Sequence, residues 1–231
     1  MVLKLYGNVF STNTSRVVMV LHEKQVPFEF HSIDFQKGEH KSPEYIKKHP
    51  FGQVPYIVRP EYFTVTRIHW DDHFLQDDDG FILYESRAIC HYIATKYADK
   101  GPKLIPTDPK ANALFQQACC IEAFNFSDSA GKAYYEVVVK PYRGLTSDKA
   151  VFDAHMATLN GKLDAYDKIL SKQKYLAGDV SAGTTLIWLR INLFCFQEIT
   201  LADLYHIAMG SGLSKTGVNP LEDEKRPNVV R

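Results

Sequence analysis

Neither sign of charge is in excess in this chain of 231 residues, which carries 27 acidic and 27 basic side chains. Proteins that bind nucleic acid or a membrane surface concentrate lysine and arginine in one run or on one face, and the sequence contains no such run. The composition therefore argues against nucleic acid and membranes as partners, and it favours chemistry on a small molecule.

Long hydrophobic runs and patterned cysteines are also missing. The longest apolar stretch, residues 186–196, contains an arginine and an asparagine and is too short to span a bilayer. The strand-like first residues lack the hydrophobic core of a signal peptide. Because no CxxC spacing occurs and adjacent cysteines rarely pair, we expect free thiols at Cys90, Cys119, Cys120 and Cys195. Free thiols indicate a reducing compartment, so a cytoplasmic location is expected.

A metal site has weak support. His69 and His73 are four residues apart, which would suit a metal if they lay on a helix. The glutamate of the zinc-protease motif is absent, however, and no helix is predicted there. We predict no metal site.

Strand and helix patterns alternate in the first hundred residues. Strands are predicted at residues 2–6 and 28–33, on either side of a helix at residues 16–23 whose apolar side chains share one face. Two further apolar runs, residues 54–57 and 81–84, are predicted to form a hairpin. A βαβ start followed by a ββα end is the thioredoxin-like arrangement.

The predicted hairpin is interrupted. Asp79 and Gly80 form a strong hairpin-turn dipeptide, and Ser86 is suited to the N-cap of the helix that follows. Residues 58–76, however, stand between the first strand and this turn. A direct connection from Ile57 to Asp77 would need none of them.

The second half of the chain is predicted to be helical. Residues 97–109 form a linker with one glycine and three prolines, and helical spacing follows at residues 111–127, 148–170 and 201–210. Thr200 and Asp203 are predicted to form a capping box, with Ile199 and Leu204 as its hydrophobic staple.

Two domains follow from this organisation. We predict an α/β thioredoxin-like N-terminal domain over residues 1–98, followed by an all-α C-terminal domain over residues 109–231.

A polar loop at residues 10–16 leads into the first helix and offers the hydroxyl groups of Ser11 and Thr12. The unpaired N–H groups and the dipole at a helix start favour an anion. Serine and threonine are also ordinary helix caps at such a position. Taken alone, this loop is better explained as a cap.

Three other segments carry groups that suit a peptide ligand. His40 and Lys41 could bind a carboxylate, although residues 38–41 would also form a simple solvated loop. Val54 precedes Pro55, so its backbone is expected to be extended and free to pair with a peptide, and a cis proline is expected here. The helix that begins near residues 85–87 could receive a carboxylate on its N–H groups, or it could be merely a capped helix.

In this order, the four segments resemble those of cytosolic glutathione transferases, in particular the phi-like class found in fungi and plants. The resemblance covers nearly the whole chain. It implies that Ser11, with Thr12 as the neighbouring candidate, donates a hydrogen bond to the glutathione sulfur and stabilises the thiolate. It also implies that glutathione is held by His40, Lys41, Gln53, Val54, Pro55, Glu85 and Ser86.

The implied roles follow the three parts of the tripeptide. His40 and Lys41 would bind the glycyl carboxylate, and the Val54 backbone would pair with the cysteinyl part. The γ-glutamyl end would be bound by Gln53, Glu85 and Ser86.

The resemblance implies conjugation of reduced glutathione to hydrophobic electrophiles by a homodimer, a detoxification activity that uses glutathione as co-substrate and needs no cofactor. Serine rather than cysteine at position 11 argues against the thiol-transferase branches. Two alternatives stay open: a non-catalytic protein that binds glutathione or hydrophobic ligands, and an inactive misspliced product.

The chain departs from the family at residues 58–76, at residues 180–197 and at its end, where relatives continue past residue 229 into a further helix. Each of the three blocks opens with valine followed by arginine or serine, as the translated start of a fungal intron would. Both internal blocks close on glutamine, which fits a terminal CAG. We therefore hypothesise two translated introns and a truncated C-terminus, with natural loop insertions as the alternative.

Overall fold

A computed structural model describes residues 2–59, 81–173, 176–177, 200–214, 217 and 225–229. Four strands, β1 (Leu3–Gly7), β2 (Phe28–Ser32), β3 (Tyr56–Arg59) and β4 (Phe81–Tyr84), form one sheet in the order β2-β1-β3-β4. Strand β1 runs parallel to β2, and β3 is antiparallel to both of its neighbours. This is the predicted thioredoxin-like topology.

Three helices surround this sheet: α1 (Thr12–Glu23), α2 (Pro43–Lys48) and α3 (Ser86–Lys96). Helix α1 begins four residues earlier than predicted, because the Ser11 hydroxyl caps it by accepting a hydrogen bond from the Thr14 amide. Ser86 is the first residue of α3 rather than its N-cap. The N-cap is Glu85, which has a φ of 70° and makes no side-chain capping bond.

Strand β3 is displaced from its predicted position. It begins at Tyr56, after the Val54–Pro55 peptide bond, which has the predicted cis configuration. It continues to Arg59, where Val58 pairs with Ile82 and Arg59 pairs with Phe81. The first two residues of the predicted insertion are therefore part of the strand. The Asp79-Gly80 turn and the rest of residues 58–76 lie outside the described residues.

The C-terminal domain is helical, as predicted. Its helices are α4 (Pro109–Ile121), α5 (Asp128–Tyr134), α6 (Lys140–Tyr142), α7 (Lys149–Leu170) and α8 (Leu201–Ser214). Helices α4, α5 and α6 follow one another without a loop, joined by π-helical turns at Glu122–Ser127 and Tyr135–Val139. Such turns often occur at functional sites, and these two lie in the segment that faces the thioredoxin-like domain. None of the described helices is long and apolar enough to cross a bilayer.

The start of α8 is fixed by the predicted pair Thr200 and Asp203. Both the amide and the hydroxyl of Thr200 donate to Asp203 Oδ2, at 2.9 and 2.8 Å. Leu204 is buried, and its predicted staple partner Ile199 lies outside the described residues, as does the whole of residues 180–197.

One apolar core runs through both domains. Helix α8 packs closely against α1 and α5, since a Cβ added at Gly212 would lie 2.9 Å from Thr12 Cγ2 and 3.0 Å from Tyr134 Cε2. Glycine at position 212 therefore allows three helices to meet beside the start of α1. This packing sets the position of the loop that carries Ser11.

Candidate active site

Ser11 lies half-buried at the N-terminus of α1. Its amide donates to the Asn8 carbonyl at 3.0 Å, and its Oγ accepts from the Thr14 amide at 3.2 Å. Because Oγ accepts this bond, its own hydrogen stays available to a ligand. None of the residues in the first turn of α1 is acidic, so the positive end of the helix dipole faces the same space.

Beside Ser11 lies a cavity of about 250 Å³ that both Ser11 and Thr12 line. Its remaining wall is mainly aromatic and aliphatic, and it is formed by Phe10, Phe35, Tyr134, Tyr135, Val138, Val139, Tyr142 and Met209. The Tyr134 hydroxyl donates to the Phe10 carbonyl at 3.1 Å, which fixes the Ser11 loop against α5. We call this space the aromatic cavity. An apolar wall with hydroxyl groups at one end suits a hydrophobic molecule that reacts near Ser11.

A second, polar pocket lies on the other side of Asn13, which lines both spaces. Five of the predicted glutathione-binding residues line it together: Gln53, Val54, Pro55, Glu85 and Ser86. His49 and Arg87 complete the lining. His49 was not predicted from the sequence; it is buried and stacks on Tyr84 with ring centroids 4.7 Å apart.

Ser86 has a partner that the sequence did not predict. Arg16 is fully buried, and its Nη1 donates to Ser86 Oγ at 2.8 Å and to Asn13 Oδ1 at 2.6 Å. Since the Ser86 oxygen already accepts from a guanidinium, its hydrogen is directed elsewhere and can be donated to a carboxylate in the polar pocket. Arg16 therefore positions two residues that line the site.

Arg16 also contacts Glu122, a buried carboxylate at the start of the first π-helical turn, with Nη2 3.8 Å from Oε1. Arg87 donates to Oε2 of the same carboxylate at 2.6 and 3.0 Å, and the Ser127 hydroxyl donates to Oε1. Burial alone would raise the pKa of Glu122, but His206, the two arginines and Ser127 together lower it. The ionised carboxylate thus connects the first turn of α3 to the helical domain.

His40 and Lys41 lie on a 3₁₀ turn, Glu39–Lys41, and neither of them lines the polar pocket. Lys41 Nζ donates to the Phe51 carbonyl at 3.1 Å. His40 lines a third, open pocket of about 630 Å³, which shares Phe35 and Tyr142 with the aromatic cavity. Burial, Lys41 and Arg143 lower the pKa of His40, so it is a neutral hydrogen-bonding group near pH 7 rather than a cation.

The predicted residues other than Lys41 therefore line three spaces that share residues with one another, and these spaces form a continuous path. It runs from the polar pocket through Asn13 and Ser11 into the aromatic cavity, and from there past Phe35 to His40. Within the described part of the chain, no group of three His, Cys, Asp or Glu side chains could hold a metal ion. His69 and His73 lie outside that part.

Known proteins share this sequence and fold. A model of the glutathione S-transferase N-terminal domain matches residues 10–96. Glutathione S-transferase hmp2 of Hypomyces subiculosus is 39% identical to this chain, and the alignment covers 100% of this chain and 91% of the hmp2 chain. Glutathione S-transferase PM239X14 of Arabidopsis thaliana is 37% identical over 98% of this chain and 87% of its own.

Solved structures agree. Glutathione transferase F7 from Populus trichocarpa superposes with a TM-score of 0.75 at 33% identity, over 99% of this chain and 90% of its own. Glutathione S-transferase I from maize, solved in complex with an atrazine glutathione conjugate, gives a TM-score of 0.72 at 28% identity, over 99% and 89% of the two chains. On this likeness in sequence and fold, the chain belongs to the glutathione S-transferase family.

Proposed function

We propose that this protein conjugates reduced glutathione to hydrophobic electrophiles, with Ser11 as the residue that stabilises the thiolate. The observation that carries this proposal is the position of Ser11, half-buried at a helix N-terminus and lining an aromatic cavity whose neighbour across Asn13 is a polar pocket. A tripeptide thiol in the polar pocket could thereby meet an apolar substrate in the cavity.

Glutathione would bind by its two charged ends. The Ser86 hydroxyl and the first amides of α3 would receive the γ-glutamyl carboxylate, while Glu85 would accept from the ammonium group. The Val54 backbone, which precedes the cis Pro55, would pair with the cysteinyl unit, and Gln53 would support the γ-glutamyl end. His40 and Lys41 would bind the glycyl carboxylate.

The chemical step needs a thiolate. Donation from the Ser11 hydroxyl and the positive end of α1 both favour the charged form and so lower the pKa of the glutathione thiol, at about 1.4 kcal/mol for each unit. The thiol proton leaves to solvent, and the sulfur lone pair forms a bond to the electrophilic carbon. In a substitution reaction the leaving group departs with its bonding pair.

The test is a comparison of Ser11→Ala with Ser15→Ala. Ser15 lies in the same helical turn but donates to the Ser11 carbonyl at 3.2 Å rather than facing the cavity. Ser11→Ala should lower kcat by roughly a hundredfold and move the rate–pH profile to higher pH, while glutathione binding is largely kept. Ser15→Ala should change neither. An unchanged profile in Ser11→Ala would exclude its role and leave Thr12 as the candidate.

The finer assignment is a phi-like transferase of fungal type that acts in detoxification as a cytoplasmic homodimer. It is supported by the serine at position 11 and by the relatives from plants and from Hypomyces subiculosus. Size-exclusion chromatography with light scattering would test the dimer. A non-catalytic binding protein is not favoured, since relatives that match nearly the whole chain are named transferases.

We also propose that residues 58–76 and 180–197 are insertions from translated introns. The support is their shared opening and closing residues. Sequencing genomic DNA and spliced mRNA would decide this, because an uninterrupted coding exon across residues 58–76 would contradict the proposal.

A further inference from the structure

The open pocket beside the aromatic cavity contains an arginine to which the sequence assigned no role. Arg143 follows the last turn of α6 and lines this pocket with Phe35, His40 and Tyr142. Its backbone position is fixed by a Schellman motif, in which the Gly144 amide donates to the Pro141 carbonyl and the Leu145 amide donates to the Lys140 carbonyl. Gly144 has the left-handed φ of 72° that this motif requires.

The charge of Arg143 is not neutralised by any neighbour that the structure describes. Among the residues that the structure describes, no acidic side chain lies within ion-pair distance of it. The two acidic groups closest along the chain have other partners: Glu136 pairs with Lys140 at 2.7 Å and Asp148 caps α7. The Arg143 guanidinium lies over the Phe35 ring, with Cζ 5.9 Å from the ring centroid.

Among the described residues, the opposite wall of the pocket carries no acidic side chain, since Phe35, Gln36 and His40 line it there. Asp34 pairs with Lys37 at 3.4 Å, and Glu39 accepts from the Asp34 amide at 2.7 Å. His40, which faces Arg143 across the pocket, is neutral near pH 7 because its pKa is lowered. The pocket is therefore positive on one side and aromatic on another, which favours an anion attached to a ring.

We infer that Arg143 binds an anionic group, such as a carboxylate, on the electrophile whose apolar ring occupies the aromatic cavity. The pocket of Arg143 lies next to the aromatic cavity, because Phe35 and Tyr142 line both spaces. It also has the room: at about 630 Å³ it is larger than the glycyl carboxylate of glutathione would require. The preferred substrates would then be aromatic electrophiles with an acidic substituent.

This inference rests on the proposed function, so its test separates the two. The probes are 4-chloro-3,5-dinitrobenzoate and its methyl ester, which carry the same leaving group and differ in charge. Rates of glutathione conjugation are divided by the uncatalysed rates. The wild-type protein should prefer the carboxylate in kcat/KM, and Arg143→Gln should reduce that preference about tenfold. The ester should be unaffected.

Lys149→Gln is the matched control, because it removes one positive charge from an exposed side chain paired with Asp153 at 2.6 Å. The Lys149→Gln variant should keep the wild-type preference for the carboxylate over the ester. Arg143→Lys should keep part of that preference, since lysine retains the charge but lacks the planar guanidinium fork. Two results would overturn the inference. An equal fall in kcat/KM for the carboxylate and the ester in Arg143→Gln would assign Arg143 to folding. A raised KM for glutathione with an unchanged preference would assign Arg143 to the glycyl carboxylate of glutathione.

Binding gives a readout that does not depend on turnover. In the presence of S-methylglutathione, calorimetry should show that the wild-type protein binds the unreactive 3,5-dinitrobenzoate more tightly than its methyl ester. Arg143→Gln should reduce this difference in affinity. If neither chlorinated probe is conjugated, the proposed function fails, while the binding measurement still decides the role of Arg143. If the two unreactive probes bind equally to wild type and Arg143→Gln, the inference is wrong.

Discussion

Replacing Arg16 by methionine would remove a guanidinium from the interior while keeping a side chain of similar length. Arg16 is fully buried, and three contacts depend on it: the bonds to Ser86 and Asn13, and the ion pair with Glu122. Removing one member of a buried charged pair typically costs 3–5 kcal/mol. Glu122 would keep Arg87 at 2.6 Å, so we expect the lower end, about 3 kcal/mol of the free energy of unfolding.

The same substitution should weaken glutathione binding without any direct contact to the ligand. Ser86 would lose the donor that orients its hydroxyl, and Asn13 would lose the donor at its Oδ1. We expect the Kd for glutathione to rise about tenfold, which corresponds to one hydrogen bond to a charged group. Urea unfolding measures the loss in free energy of unfolding, and calorimetry measures the Kd for glutathione. Arg16→Lys should keep the charge but not both bonds, since an ammonium lacks the guanidinium fork.

A double-mutant cycle would test the reasoning. If Arg16 acts through Glu122, the variant with Arg16→Met and Glu122→Gln together should lose less stability than the sum of the single variants. Additive losses would show that the 3.8 Å ion pair carries no coupling. A stability loss below about 1 kcal/mol in Arg16→Met, together with unchanged glutathione affinity, would refute the role assigned to this network.

Three further predictions follow from the site and from the chain. Ser86→Ala should weaken glutathione binding several-fold in calorimetry while Ser171→Ala, at the exposed end of α7, leaves it unchanged; equal affinities in all three proteins would contradict the assignment of Ser86. Because the pKa of Glu122 is lowered in the folded state, its stabilisation is present above the ordinary carboxyl pKa and lost as the pH falls through the lowered value. Glu122→Gln should therefore flatten the acid limb of a plot of stability against pH, and an unchanged limb would exclude Glu122 as its source. Deleting residues 180–197 should raise the melting temperature more than deleting residues 58–76, because the second block places a run of large apolar residues before α8 whereas the first lengthens a hairpin connection at modest entropic cost. The opposite ranking in thermal melts would contradict this.

The short-range features of this protein could be predicted from its sequence. The strand order, the cis bond at Pro55 and the polar cap at Ser11 depend on side-chain periodicity, on the geometry of proline and on bonds between residues a few positions apart. The family resemblance then named candidate glutathione-binding residues, and five of these candidates line one pocket. The predicted starts of α1 and β3 were wrong, but only by a shift of two to four residues.

Tertiary structure decided which distant residues serve the site. Arg16 was predicted only as the first residue of a helix, and nothing local indicates that a guanidinium at that position is buried against Ser86, 70 residues away. The aromatic cavity likewise forms where α8, through Gly212, packs closely against α1 and α5 and the segment Asp128–Tyr142 passes over the Ser11 loop. The pocket of Arg143 forms where the end of that segment lies beside Phe35 and His40. Periodicity specifies that a helix has a buried face, but the partner of that face is chosen by packing between elements far apart in the chain, for which one sequence carries no local signal.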